Sequence, residues 1–380
     1  MNSQQTSPRS AFSSQTDSAQ AAAEIVQGLT AGGTAQPRCV VFFAGLAQDG
    51  AAIGGALQAQ FPSAQVIGCS ANGEFSDGHY GKGGVAALAL YEDSVGQVAT
   101  VLAPLSAGVR AGIADAAQRL GEKLGRPLRS LDAQHFIGIG LLEGATGREE
   151  AINEALGNAA PLLPFVGGSA GDNITFSGTW VFAEGRVERD ACALLVLECR
   201  RPFTVLKTCN FVATPVEVTI TRADPARRLI IELDGQPAVQ RYAELIGAKP
   251  EELAFAHFLA NPLGLMIDDE PWLRSAVRPE GSALFFACAV LEGMTLNLMR
   301  ATDIVENAGQ ALAQAAVKLG GPPRAALLFN CAYRMLEVQI RGVEPAYHAA
   351  LSGVVHAGLH SNGESYLGHI NQTLTGLILG

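Results

Sequence analysis

The chain has 380 residues, 48% of them apolar and 16% charged, with a formal net charge of −10; its length suits two or three domains. The acidic balance argues against nucleic acid and anionic membranes, which call for clustered Lys and Arg, and no uncharged apolar run approaches the ~18 residues of a membrane span. Seven scattered cysteines, never spaced Cys-x-x-Cys, argue against a disulfide framework or a structural zinc site and for reduced thiols in a cytoplasmic protein.

Residues 1–20 are rich in Ser, Gln and Thr without an apolar stretch, so they are no secretory signal and are expected to be a disordered tail. Residues 21–29 read as a helix and 39–44 as a buried strand. Asp49 can cap a helix to Gln60, Pro62 turns the chain into a strand at 66–67, and 85–90 returns. The same unit recurs with a strand at 136–139, a helix from Glu149, a strand at 165–166, and strands at 179–182 and 193–197. That helix has Ile152, Ala155, Leu156 and Ala159 on one face. A last unit has a strand at 325–329, a helix around 345–351 and a strand at 373–379. Residues 205–319 break the pattern. They hold strand candidates at 216–221, 229–232, 284–290 and 295–299 and helices at 237–246 and 303–319, the second capped by Asp303 with Glu306 three residues on. The fold class expected is α/β, with mixed sheets built from three strand–helix–strand–turn–strand units. The charged break at Cys199-Arg200-Arg201-Pro202 divides it into domains 21–200 and 201–380.

The repeat is marked by a glycine turn after each short apolar run. Gly68-Cys69-Ser70-Ala71-Asn72-Gly73-Glu74 closes on Gly78-His79, and Gly358-Leu359-His360-Ser361-Asn362-Gly363-Glu364 closes on Gly368-His369. A looser copy reads Gly167-Gly168-Ser169-Ala170-Gly171-Asp172-Asn173, with Asp172 as the counterpart of the two glutamates. Asn-Gly is also the ordinary pair of a two-residue hairpin turn, and a turn carboxylate can simply accept its own backbone N–H groups. Three such turns converging would expose backbone amides and carboxylates to a zwitterionic ligand, with Arg334 as a fork for the ligand carboxylate. The site expected comprises Cys69, Ser70, Asn72, Glu74, Gly168, Ser169, Asp172, Asn173, Cys331, Arg334, His360, Asn362 and Glu364.

Enzyme readings fare worse. Gly167-Gly168-Ser169-Ala170-Gly171 matches a nucleophile elbow, but turn and strand composition follows it where a helix is required. His356 and His360 are spaced i, i+4 but straddle a strand-to-turn stretch, so the helical face of a metal site is missing. What remains is a cysteine-dependent enzyme with Cys331 or Cys69 as nucleophile and His360 as base. The expectation is that the protein is not an enzyme.

The chain resembles the FIST family. The N-terminal half carries the resemblance at Ile67 to Glu74 and Gly167 to Asn173. The C-terminal half carries it at Glu232-Leu233-Asp234-Gly235-Gln236-Pro237-Ala238, Phe329-Asn330-Cys331-Ala332-Tyr333-Arg334, Asn362-Gly363-Glu364 and Asn371-Gln372-Thr373-Leu374. The resemblance implies FIST N-terminal and C-terminal domains in a small-ligand receptor feeding signal transduction. The ligand would be amino-acid-like and the partner a histidine kinase or a cyclic-di-GMP enzyme. Some free-standing members, the NosP type, look like haem proteins that sense nitric oxide, so haem is the cofactor this resemblance brings in; it needs an axial ligand such as His.

Overall fold

The computed structural model describes residues 7–380 except 32, 34 and 176. Three six-stranded sheets share one topology. The first runs Arg9–Ser13, Val85–Leu90, Cys39–Gly45, Gln65–Ala71, Val181–Ala183, Arg186–Glu188. The second runs Val95–Pro104, Ala191–Cys199, Phe136–Leu142, Phe165–Ser169, Glu364–Tyr366, His369–Ile370. The third runs Phe203–Thr208, Leu374–Leu379, Ala325–Cys331, Val355–Ser361, Glu74–Ser76, His79–Gly81. In each, only the third and fourth strands pair in parallel. The α/β class and the three related units expected from the repeat are present.

The outer hairpin of every sheet comes from another unit. The segment after Gln65–Ala71 pairs with Val355–Ser361, that after Val355–Ser361 pairs with Phe165–Ser169, and that after Phe165–Ser169 pairs with Gln65–Ala71. The exchange is cyclic, a threefold relation in topology. It threads the two halves of the chain through one another, although the chain crosses from second to third sheet between Cys199 and Phe203.

Period-2 alternation then sorts the side chains. Cys39, Val41 and Phe43 face a core shared with Ile137, Ile139, Leu141, Leu327 and Phe329 of the other sheets. Val40, Phe42 and Ala44 face outward onto the helices Ser18–Thr30 and Gly50–Gln60. Burial on both faces explains why these strands are continuous apolar runs. Between Phe203–Thr208 and the helix Ile304–Leu319, the chain builds a fourth, eight-stranded sheet with its own core around Ile220, Ile230, Leu233, Tyr242, Phe258 and Phe286.

Three expectations need correction. Residues 1–6 lie outside the described residues, but the rest of the supposed tail is ordered. Arg9–Ser13 is an edge strand on Val85–Leu90, and Asp17 caps the first helix through Gln20 N at 2.9 Å. Ser13 is buried and donates to Glu24 Oε2 at 2.7 Å, so polar composition hid a paired segment. The helices Val109–Leu124 and Ala332–Arg341 went unread, since neither has a side-chain cap and the second starts directly off a strand. The strand expected at 284–290 ends at Phe286.

Candidate functional site

The three glycine turns meet, joined by the hairpin exchange. Asn72 N donates to His360 O (3.0 Å), Asn362 N to Ser169 O (3.1 Å) and Gly171 N to Ser70 O (2.8 Å). The reciprocal bonds run from His360 N to Gly73 O (2.8 Å), Ser169 N to Gly363 O (2.8 Å) and Ser70 N to Trp180 O (3.0 Å). Side chains close the knot: Asn72 Nδ2 donates to Asn362 Oδ1 at 2.8 Å, and Asn72 Oδ1 accepts from Asp172 N and Ile174 N. Asn362 Nδ2 donates to Gly144 O at 2.9 Å. Gly73 is required for space, because a Cβ there would sit 2.9 Å from His360 Cδ2 and 3.0 Å from Gly81 O. Neither Asn72 nor Asn362 has a positive φ, so the Asn-Gly pairs are crossing points rather than two-residue hairpin turns of the left-handed type.

The register corrects one assignment. Glu74 pairs opposite Leu359, Glu364 opposite Gly168, and the residue in the same place on the first sheet is Val181, opposite Cys69. Asp172 is therefore no counterpart of the glutamates. It heads an inserted loop and accepts from Ser177 N at 2.6 Å, Gly178 N at 3.2 Å and Thr175 Oγ1 at 3.2 Å. Ser169 ends a strand, and loop then strand follow where a nucleophile elbow needs a helix.

Most of the expected site is sealed. Asn173 is exposed and Asn362 half-buried; Cys69, Ser70, Asn72, Glu74, Gly168, Ser169, Asp172, Cys331, Arg334, His360 and Glu364 are buried. Arg334 is not a free fork. Its Nε donates to Asn330 Oδ1 (3.1 Å), Nη1 to Asn210 Oδ1 (2.8 Å) and Nη2 to Asn307 Oδ1 (3.4 Å), and the guanidinium lies 5.7 Å from the Tyr347 ring centre. It clamps three segments of the chain instead of facing a cleft.

Burial also sets the charges. It pushes Glu74 and Glu364 up to about 8, against backbone donation from Gly84 to the first and bonds from Thr373 and Ser361 to the second. It raises the Cys69 thiol, and burial together with the neighbouring Glu364 raises Cys331 well above the ordinary range. Burial holds His348 down to about 4 and lowers His356 and His360, all three packed on Phe75. A thiol so far from ionisation and a histidine so reluctant to take a proton make a poor nucleophile–base pair.

These shifts set the pH dependence of stability. The histidines bind protons more readily unfolded, near 6.5, so stability falls as the pH drops below that value. The glutamates bind protons more readily folded, so their contribution is complete below 4.5 and is lost as the pH rises through about 8. From these five groups we expect maximal stability near pH 6.5. Between there and about pH 8 the loss should approach about 3 kcal/mol per pH unit, the limit for two protons. Urea midpoints at pH 5, 6.5 and 8 check this; a flat profile would mean that these groups titrate normally.

An open cleft lies beside the knot rather than in it. About 730 Å³ in volume, it sits between the second sheet's loops and the inserted sheet, lined among others by Gly144, Glu149, Glu150, Arg228, Arg278, Ala287 and Asn362. Glu149 and Glu150 occupy the first turn of the helix Glu149–Ala159, and Arg228 reaches across from the inserted sheet. Its Nη2 meets Glu149 Oε2 (2.8 Å) and Glu150 Oε2 (2.5 Å), and its Nη1 donates to Ala287 O (3.0 Å). Burial alone would raise Glu150, but His369 and Arg228 outweigh it and leave the carboxyl below its ordinary value. At the rim Arg278 pairs with Glu280 at 3.3 Å, and Arg227 does so too. Sequence reasoning missed Arg228 and Arg278, which sit in no motif, and read Glu149 only as a helix start. A comparable groove of about 720 Å³, over the helix Val109–Leu124, is lined mainly by Ala, Gly and Arg side chains away from this chemistry.

Five clefts among the described residues offer haem no axial ligand. None of the five is lined by a His, Cys, Met or Tyr that could serve as an axial ligand, and His348, His356 and His360 are packed against Phe75.

Comparison with known proteins finds two domain families in succession along the chain. The FIST N domain family matches residues 9–236 and the FIST C domain family residues 238–366. An uncharacterized protein of Methanocaldococcus jannaschii is 26% identical over 268 residues, 65% of this chain and 50% of that protein. The chain thus spans about half the length of this curated relative. With the two family matches covering nearly its whole length, the chain belongs to the FIST family of sensory domains.

Proposed function

We propose that the protein senses a small zwitterionic ligand, amino-acid-like in its charges, in the cleft beside the knot. The occupied state would pass to a partner signalling protein such as a histidine kinase or a cyclic-di-GMP enzyme. The observation that carries the reading is the position of Asn362, which lines the cleft and bonds Asn72 of the knot. A ligand there touches the crossing point of all three units. Both signs of charge are at hand, with Glu149 and Glu150 against Arg228 and Arg278. No helix of the described residues is long and apolar enough to cross a membrane, so the signal would leave through a protein surface.

The test is a thermal-shift screen of the common amino acids, followed by calorimetry on any that stabilise the protein. Arg278→Ala removes a rim charge that is 56% exposed. It is expected to weaken binding about tenfold while changing stability by no more than about 0.5 kcal/mol. A screen without one stabilising amino acid would defeat the reading.

A further inference from the structure

One strand of the cleft wall turns an aromatic ring away from its own core. Along Ala283–Phe286, Leu284 and Phe286 face the core of the inserted sheet, so period-2 alternation puts Phe285 on the opposite side. There Phe285 is half-buried and is the one aromatic side chain lining the cleft among the described residues. Its cross-strand partner on Ala276–Glu280 is Arg278. The Arg278 guanidinium carbon lies over the Phe285 ring, 4.2 Å from its centre, and Glu280 Oε2 meets Arg278 Nη2 at 3.3 Å. Phe285 thus covers one side of the guanidinium, yet the Arg278 side chain stays 56% exposed and lines the cleft. Pro225, Ala226, Ala287 and Ala289 add apolar wall.

A guanidinium held over one ring presents its other face to a second. That face attracts the electron-rich face of an aromatic ring, and a saturated group of the same shape gains contact alone. Glu280 takes one N–H edge of Arg278, which leaves the face for recognition. The cleft, about 730 Å³ in volume, also exceeds what the charged ends of an amino acid fill, so a bulky side chain has room. We propose that Arg278 and Phe285 form a shelf for the ligand's side chain, and that the amino acid sensed is an aromatic one. Its ring lies on Arg278 with Phe285 beneath, and its charged ends stay among the acidic and basic groups already described. Phe285 orients the guanidinium and sets specificity, although no motif marks it. The inference rests on the cleft being the ligand site and adds which side chain the ligand carries.

The probes are phenylalanine, tyrosine and tryptophan against leucine and cyclohexylalanine, the last having the shape of phenylalanine without its π electrons. Calorimetry on the full chain should find the three aromatic amino acids about tenfold tighter than either aliphatic one. Arg278→Lys keeps the charge and loses the plane, so it should bring phenylalanine to within about threefold of cyclohexylalanine. Phe285→Leu should narrow the same gap by removing the ring beneath the guanidinium. Without ligand, Arg278→Lys should melt at the wild-type temperature, because the side chain is exposed, so its loss of preference is read in a folded protein. Cyclohexylalanine binding wild type as tightly as phenylalanine would overturn the shelf. So would an Arg278→Lys variant that kept the full aromatic preference. In both cases the cleft would remain an amino-acid site. Binding of no amino acid at all would remove the cleft reading and the shelf with it.

Discussion

Arg334→Ala is expected to cost about 3–5 kcal/mol, the range for leaving a buried charged network without its centre. Against a typical total of about 5–15 kcal/mol, that takes the protein to the edge of folding. The substitution strands two amide oxygens, on Asn210 and Asn307, and leaves Asn330 Oδ1 with the Tyr347 hydroxyl at 2.7 Å as its remaining donor. It also uncovers Glu337, which accepts from Asn210 Nδ2 at 2.9 Å and pairs with Arg341 at 2.8 Å. Those segments come from the entry to the inserted sheet, the helix Ile304–Leu319 and the strand Ala325–Cys331, so one side chain fixes how the fourth sheet joins the third. A urea titration should show a lower midpoint with unchanged slope. A variant with the wild-type midpoint that had lost ligand affinity would restore Arg334 to a binding role.

Gly171→Ala is expected to destabilise by about 3 kcal/mol, the upper part of the range for overpacking. A Cβ at Gly171 would stand 2.4 Å from Asn72 N and 2.7 Å from Ala71 C. Backbone is on both sides and cannot swing away, so the crossing of the first and second units must open. The bond from Gly171 N to Ser70 O would go with it. Gly55→Ala is the control. Gly55 is exposed on the helix Gly50–Gln60 with nothing within 4 Å of a new Cβ, so helix propensity alone should stabilise by roughly 0.5–1 kcal/mol. If the two alanine variants melted alike, the knot would carry no stability.

Much of the fold was legible because it is local. Alternating or continuous apolar runs at 39–44, 136–139 and 325–329 mark strands by period and by burial on both faces, and Asp49 and Asp303 cap the helices they were expected to cap. Two copies of Asn-Gly-Glu and a looser glycine turn at 167–173 marked three related units, since duplicated backbone geometry demands small residues at the same places. The family resemblance followed from the same motifs. What sequence could not supply is which unit a turn's hairpin joins. Its own sheet and a neighbour's offer the same ladder of backbone groups, and tertiary packing alone chooses. That choice buries the motif residues, so Asn72, Glu74 and Glu364 hold the units together while a cleft opens to one side. Arg228, Glu149 and Arg278 meet there from segments far apart in the chain, each without a motif. Charge pairing across an interface depends on distances in space and leaves no spacing to read. Sequence alone thus determined the units and their family, and the exchange between units decided that the motif residues are buried and that the open cleft lies beside them.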